Sequence, residues 1–118
     1  MKPFSIDVTE SPSATGTIDE VRVCGFLDAH TVNTFDARIQ EELDRDVNRF
    51  LLDFEELTYI SSAGIGSLMV LLQQVRRMGG ELVILNPQPK VYSVLDLLGF
   101  TKIFHFANDR EAALQELS

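Results

Sequence analysis

The stretch 59–68, YISSAGIGSL, places two adjacent serines between apolar residues and a segment with helical periodicity. A serine at such a position caps a helix, because its side-chain oxygen accepts a hydrogen bond from a free N–H group of the first turn. The same N–H groups and the positive end of the helix dipole also stabilise an anion such as a phosphate. The local chemistry leaves two interpretations of Ser61 and Ser62 open, a helix cap and a modification site.

The residues that follow the serines carry almost no side chain. Ala63, Gly64 and Gly66 leave the loop and the first turn nearly bare. A glycine inside a helix costs about 1 kcal/mol relative to alanine. That cost indicates that tight packing or close access by another molecule matters here, without deciding between the two.

The helix predicted from about Ser62 to Met78 has two different faces. One face is apolar and is expected to lie in the core, with Ile65, Leu68, Leu72 and Val75 at helical spacing. A second stripe begins at the modifiable serine and is first bare, then mildly apolar, then basic. It is either a solvated face or a docking surface, and it consists of Ser62, Gly66, Val70, Gln73 and Arg77.

The rest of the chain alternates between strand and helix patterns. An alternating strand at Phe4–Val8 is followed by turn residues and a second strand at Val21–Phe26, and a helix follows Thr31, capped by Asp28 or Thr31. After the initial hairpin, the order β-β-α-β-α-β-α-β-α predicts an α/β fold with a mixed sheet and βαβ crossovers. Two segments are continuously apolar, RFLLDF (49–54) and ELVIL (81–85), and they are expected to be neighbouring buried strands. The remaining segments are a strand at KIFHF (102–106) and helices beginning near Pro89 and Asn108.

Length, charge and composition restrict the class of protein. The 118 residues predict a single domain, 1–118, and the net charge of −8 argues against nucleic acid or an anionic membrane as partners. The single cysteine, Cys24, excludes an intramolecular disulfide. No signal peptide or apolar run of about 18 residues is visible, so we expect a cytoplasmic protein.

The motifs of catalysis are missing from the sequence. Tyr59 and Ile60 stand where a nucleophile elbow would need a glycine, and His30 and His105 fit no triad spacing. No metal-binding motif, dinucleotide fingerprint or phosphate loop occurs. We therefore expect no enzymatic activity, no metal and no cofactor.

Several segments in the same order resemble the STAS family, and more narrowly its bacterial anti-sigma factor antagonists. The resemblance spans nearly the whole chain and implies a mixed sheet with helices packed mainly on one face. The segments that carry it are GFLDAHT (25–31), the apolar run ending in Asp53, YISSAGIG (59–66), GGELVILNPQPKV (79–91) and LLGFTKIF (97–104).

The resemblance also implies a mechanism called partner switching. A partner that is both serine kinase and anti-sigma factor phosphorylates the loop, a metal-dependent serine phosphatase resets it, and the unphosphorylated form binds the partner. Matching through Gly64 places Ser62 at the phosphorylated position and Ser61 where the family usually has Asp, while Asp28 matches an acidic residue linked to partner contact. The alternative is a STAS interaction module without phosphorylation, in a larger assembly or lipid-transport complex. The expected partner-binding residues are Asp28, Ser61, Gly64, Gly66, Val70, Gln73 and Arg77.

Overall fold

A computed structural model describes residues 3–118 as a six-stranded mixed sheet with four α-helices. None of these helices is both long and apolar enough to cross a membrane. A 3-10 turn at Phe100–Lys102 joins the third helix to the last strand. In chain order the elements are β1 Ser5–Ser13, β2 Gly16–Leu27, α1 Val32–Leu43, β3 Arg49–Asp53, β4 Leu57–Ile60, α2 Ser62–Arg77, β5 Glu81–Leu85, α3 Pro89–Leu97, β6 His105–Ala107 and α4 Arg110–Leu117.

The strand order across the sheet is β1-β2-β3-β5-β6, and β4 pairs with β2 beside this path. Only the β1–β2 hairpin is antiparallel, and the other pairs are parallel. Strands β3 and β5 pair from Arg49–Glu81 to Asp53–Leu85. This pairing confirms the prediction that the two continuous apolar runs are neighbouring buried strands.

Strand β2 has two partners on the same side because it changes register at a glycine. Its first half, from Asp19 to Arg22, pairs with β3, and its last residues pair with β4. The register shifts between Gly25 and Phe26, and Gly25 has a φ of 86°, which favours glycine. The Gly25 N–H donates to the Glu56 carbonyl at 3.0 Å, which fixes the bulge against the start of β4.

Two details of the predicted element order were wrong. Strand β4 was assigned to the serine loop, because it has only four residues and its central Thr58 and Tyr59 are exposed. The last strand begins at His105 and not at Lys102, since the chain first makes the 3-10 turn. The expected class, an α/β fold with a mixed sheet, is confirmed.

Helices cover both faces of the sheet unequally, as expected. The larger core lies under α1, α2 and α3, and the smaller one lies under α4. Alternate residues of β3 explain this division, because Phe50 and Leu52 join the larger core while Leu51 joins the smaller one. The smaller core consists of Ile18, Leu51, Val83, Leu85, Ala113 and Leu117.

An ion pair holds α4 against β2. Arg110 donates from Nε and a terminal nitrogen to the two Glu20 carboxylate oxygens at 2.6 and 2.7 Å. This two-pronged contact from the guanidinium lowers the pKa of Glu20. The pair sits on the face opposite α1, α2 and α3, so α4 is anchored away from the serine loop.

We expect the replacement of Gly80 by alanine to be far more damaging than the same change at Gly79. A Cβ atom at Gly80 would lie 1.7 Å from the Asn48 carbonyl oxygen, whereas one at Gly79 would meet nothing within 4 Å. Gly80→Ala should cost at least about 3 kcal/mol through the backbone clash. Gly79→Ala should cost only about 1 kcal/mol, from its φ of 80°. Urea denaturation measures both, and equal losses would contradict the packing described here.

Candidate functional site

The serine loop leaves the sheet next to the loop that leads into α1. Strands β2 and β4 run parallel, so their carboxyl ends meet at one edge of the sheet. Beyond the last paired residues, Leu27 and Ile60, the Ser61 N–H donates to the Leu27 carbonyl at 3.0 Å. The residue after β2, Asp28, therefore emerges at the same edge as Ser61 and Ser62.

The two serines have different environments. Ser61 is the N-cap residue of α2 and is half-buried, with its Oγ accepting from the Gly64 N–H at 3.4 Å and its carbonyl accepting from the Ile65 N–H at 2.9 Å. Ser62 is the first helical residue and is exposed. Within residues 3–118 its hydroxyl has no hydrogen-bond partner. The cap interpretation thus describes Ser61, and Ser62 is the accessible hydroxyl.

The start of α2 keeps two backbone donors available. Capping by Ser61 uses the N–H groups of Gly64 and Ile65. In the part of the chain described, the N–H groups of Ser62 and Ala63 have no acceptor. These donors and the helix dipole favour negative charge at this end of a 16-residue helix.

The two glycines in the first turns of α2, Gly64 and Gly66, lie in different surroundings. Gly64 is buried, and a Cβ there would lie 2.6 Å from the Leu27 carbonyl oxygen and 2.8 Å from Cγ1 of Ile60. Gly66 is exposed, and a Cβ there would meet nothing within 4 Å. Packing of α2 against β2 and β4 accounts for Gly64, whereas nothing within the described chain requires a glycine at position 66.

Asp28 is engaged in the start of α1. Its Oδ1 accepts from the backbone N–H groups of His30 at 2.9 Å and Thr31 at 3.2 Å, and its carbonyl accepts from the Val32 N–H at 2.9 Å. The Asp28 carboxylate therefore holds the turn that precedes α1, and the Asp28 carbonyl accepts from the first helical N–H. The N-cap residue is Thr31, whose side chain makes no capping bond to α1 and donates instead to the Phe26 carbonyl. The half-buried carboxylate is a structural group as well as a candidate contact.

The second stripe of α2 is exposed along its whole length, as predicted for either a solvated or a docking face. Gly66, Gln73 and Arg77 are exposed, and the Val70 side chain is 55% exposed. Arg77 lies about 22 Å along the helix axis from Ser62 at 1.5 Å per residue. A partner that contacts the entire stripe must cover four turns of α2.

Two grooves flank this stripe, and one includes residues that sequence reasoning missed. The groove between α1 and α2 has a volume of about 390 Å³ and is lined by Phe35, Ala63 and Val70 among others. The second groove, of about 340 Å³, runs between the start of α2 and the end of α3. Beside this groove, Leu97 and Leu98 are 87% and 57% exposed. The only sequence signal for this exposed apolar surface is the pair of leucines in LLGF (97–100). The second groove is lined by Ser62, Ile65, Gly66, Met69, Leu98 and Phe100.

Comparison with known proteins gives consistent matches. The model of the STAS domain family matches residues 6–113. BtrV of Bordetella bronchiseptica, named as a candidate anti-sigma factor antagonist, is 36% identical over 89 residues, covering 75% of this chain and 77% of BtrV. The anti-sigma F factor antagonist of Paenibacillus polymyxa is 29% identical over 98 residues, covering 82% and 84% of the two chains.

A solved structure shares the fold. The Bacillus cell fate determinant SpoIIAA in its phosphorylated form superposes with a TM-score of 0.70 at 23% identity, covering 98% of this chain and all of that one, 100%. The family match extends from β1 into α4 and so includes the whole sheet and the serine loop. The chain belongs to the STAS domain family.

Proposed function

We propose that this protein is an anti-sigma factor antagonist that acts by partner switching under the control of Ser62 phosphorylation. The observation that carries the proposal is the exposed Ser62 hydroxyl at the start of α2, which has no hydrogen-bond partner among the described residues, in a STAS chain whose relatives include anti-sigma factor antagonists. The unphosphorylated protein binds an anti-sigma factor that is also a serine kinase, and a metal-dependent serine phosphatase removes the phosphate. The protein itself acts by binding and performs no catalysis.

The start of α2 is suited to hold a phosphate without refolding. A phosphate on Ser62 adds about −1.5 to −2 charges at neutral pH. The free N–H groups of Ser62 and Ala63 are the nearest donors, and the dipole of α2 has the matching sign. The modification therefore changes the surface charge and leaves the fold in place.

The same charge would oppose a partner docked on α2. Ser62 lines the groove that contains Leu98 and Phe100, and it heads the stripe that contains Val70. A partner that covers these apolar side chains would have to desolvate the phosphate, which costs several kcal/mol when no cation compensates it. A loss of about 3 kcal/mol weakens binding more than a hundredfold.

Ser61 gives this loop its own character. In the resemblance described above, an aspartate usually precedes the phosphorylated serine, whereas here a neutral hydroxyl caps the helix. No carboxylate at position 61 repels the incoming phosphate. We propose that the kinase recognises the loop through its bare backbone and α2, without an acidic residue at this position.

Ser62 should accept the phosphate, and its modification should release the partner. Mass spectrometry after incubation with the cognate kinase and ATP locates the phosphate, and calorimetry measures the affinity of both forms. Ser62→Ala should bind constitutively, and Ser62→Asp should bind at least tenfold more weakly.

Ser61→Ala is the matched control for this experiment. It should lose about 1 kcal/mol of stability with the cap but still be phosphorylated. Phosphate on Ser61 alone would contradict the assignment. Phosphorylation of Ser62 with unchanged affinity, or no phosphorylation at all, would favour the STAS module without a switch.

Alanine at Gly66 should separate stability from partner binding. Gly66→Ala should stabilise α2 by about 1 kcal/mol through helix propensity, because its Cβ meets nothing in the free protein. The same methyl group should weaken the binding of a partner that approaches the backbone closely. Gly64→Ala is the control, and it should destabilise the fold by about 1 to 3 kcal/mol through its clash with Leu27. Unchanged partner affinity of Gly66→Ala would show that the partner does not need this glycine.

Two substitutions of Asp28 should separate its charge from its role in the turn that precedes α1. Asp28→Asn keeps the Oδ1 acceptor for the His30 and Thr31 N–H groups, so its stability should be nearly unchanged. Asp28→Ala removes the acceptor of these two N–H groups and should cost about 1 kcal/mol. If the carboxylate contacts the partner, both variants should bind more weakly in calorimetry. Full affinity of Asp28→Asn would limit Asp28 to its structural role.

A further inference from the structure

Two acidic side chains are buried together beneath the C-terminal end of α1. Asp19 on β2 has no exposed surface, and Glu42 on α1 is 3% exposed. Oxygen atoms of these two residues and of Glu10 on β1 all lie within 4.8 Å of one another. In the sheet register, Asp19 lies opposite Glu10 on β1 and opposite Phe50 on β3. Buried carboxylates are costly unless they are paired.

The neighbouring arginines donate hydrogen bonds to Glu42 and Glu10 but, among the described residues, none to Asp19. Arg38 donates to Glu42 at 2.9 Å, and Arg45 donates to Glu42 at 3.1 Å and to Glu10 at 2.7 Å. Both carboxyl oxygens of Asp19 are buried without a hydrogen-bond partner among residues 3–118. An ionised Asp19 would therefore be a buried charge beside a second carboxylate, with no donor of its own.

We propose that Asp19 and Glu42 share one proton in the folded protein, forming a carboxyl–carboxylate pair that holds α1 on the sheet and makes stability depend on pH. The proton converts Asp19 from a second acceptor into a donor toward Glu42. Glu42 keeps its negative charge, which Arg38 and Arg45 compensate. This proton site is independent of the serine loop, since it lies at the opposite end of α1 from Asp28.

The charges that face the pair agree with this division. Burial, the contact with Glu42 and the negative charges of Glu42 and Glu10 raise the pKa of Asp19 to about 7, and Arg45 opposes the rise. The contact with Asp19 and the ion pair with Arg38 lower the pKa of Glu42. From β3, the residue paired with Asp19 is the uncharged Phe50.

A proton fits this site better than a metal ion. Carboxylate oxygens are ligands for divalent cations, but the Arg45 guanidinium already bridges Glu10 and Glu42. A metal bound there would have to displace that guanidinium and would still face the positive charge of Arg38. Metal binding is therefore an outcome that the experiment must distinguish.

The sign of the pH dependence follows from linkage. An aspartate in the unfolded chain releases its proton near pH 4, whereas folded Asp19 retains it up to about pH 7. Between these values the folded state binds one proton more, so a rise in pH favours unfolding. The unfolding equilibrium constant should increase by up to about tenfold per pH unit between pH 5 and 7 from this group, and level off above.

Asp19→Asn tests the proposal in the intact chain. The asparagine amide can donate to Glu42 at any pH, so the variant should lose the pH-dependent step that Asp19 contributes. Urea denaturation at pH 5, 6, 7 and 8 should show wild type losing stability relative to Asp19→Asn, with the difference reaching about a hundredfold in unfolding constant. Asp7→Asn on the exposed side of β1 is the control and should run parallel to wild type. Parallel curves for wild type and Asp19→Asn would overturn the proposal.

A second measurement uses the wild-type protein and so does not depend on whether Asp19→Asn folds. The carboxyl carbon of Asp19 in wild-type protein, followed by NMR, should titrate near pH 7, and Glu42→Gln should move that midpoint to lower pH. A midpoint near 4 in wild type would overturn the shared proton. Stabilisation of wild type at pH 8 by millimolar magnesium or calcium, absent in Asp19→Asn, would also overturn it and identify a metal as the occupant.

Discussion

The serine loop depends on the way β2 changes partners at Gly25. The strand leaves β3 after Arg22 and takes up β4, with the register shift absorbed by a glycine at a φ of 86°. The hydrogen bond from Ser61 to the Leu27 carbonyl then fixes the start of α2 beside the end of β2. Because both strands end at this edge, two segments more than thirty residues apart in sequence form one surface. A residue with a side chain at position 25 would strain the bulge and so misplace the loop.

Within that surface, capping and access are divided between adjacent residues. Ser61 caps the helix, and the Ser62 hydroxyl has no hydrogen-bond partner in the part of the chain that the structure describes. Gly64 allows the helix to approach Leu27, and Gly66 leaves the outer surface open. Stability explains the two inner residues, Ser61 and Gly64. The outer residues, Ser62 and Gly66, are exposed, and a glycine at position 66 lowers the helix propensity. The proposed contact with a partner would account for both outer positions.

The sequence predicted what depends on local periodicity and missed what depends on distant partners. The core face of α2 and the β3–β5 pair follow from apolar patterns, and Ile65, Leu68, Leu72 and Val75 are buried as expected. Strand β4 was missed because a short strand with exposed central residues is defined by its pairing with β2.

The site was predictable to a similar degree. The exposed stripe on α2 followed from helical spacing, but the groove beside Leu98 requires the end of α3 to fold back toward Ser62. Asp28 and Thr31 were the two alternatives for the cap of α1; Thr31 is the N-cap residue without a side-chain cap bond, and Asp28 holds the turn before it. The burial of Asp19 with Glu42 had no sequence signal, because an acidic residue in an alternating strand normally faces solvent.

In the proposed function, the partner covers the surface at the start of α2. Amide hydrogen exchange, measured by NMR on the free chain and on its complex with the anti-sigma factor, tests this most directly. The N–H groups of Ser62 and Ala63 have no acceptor among residues 3–118 and should exchange rapidly in the free chain. In the complex their exchange should slow, while the exchange of the α4 amides on the opposite face stays unchanged. Slowing confined to α4 and β6, with Ser62 and Ala63 unaffected, would contradict the account.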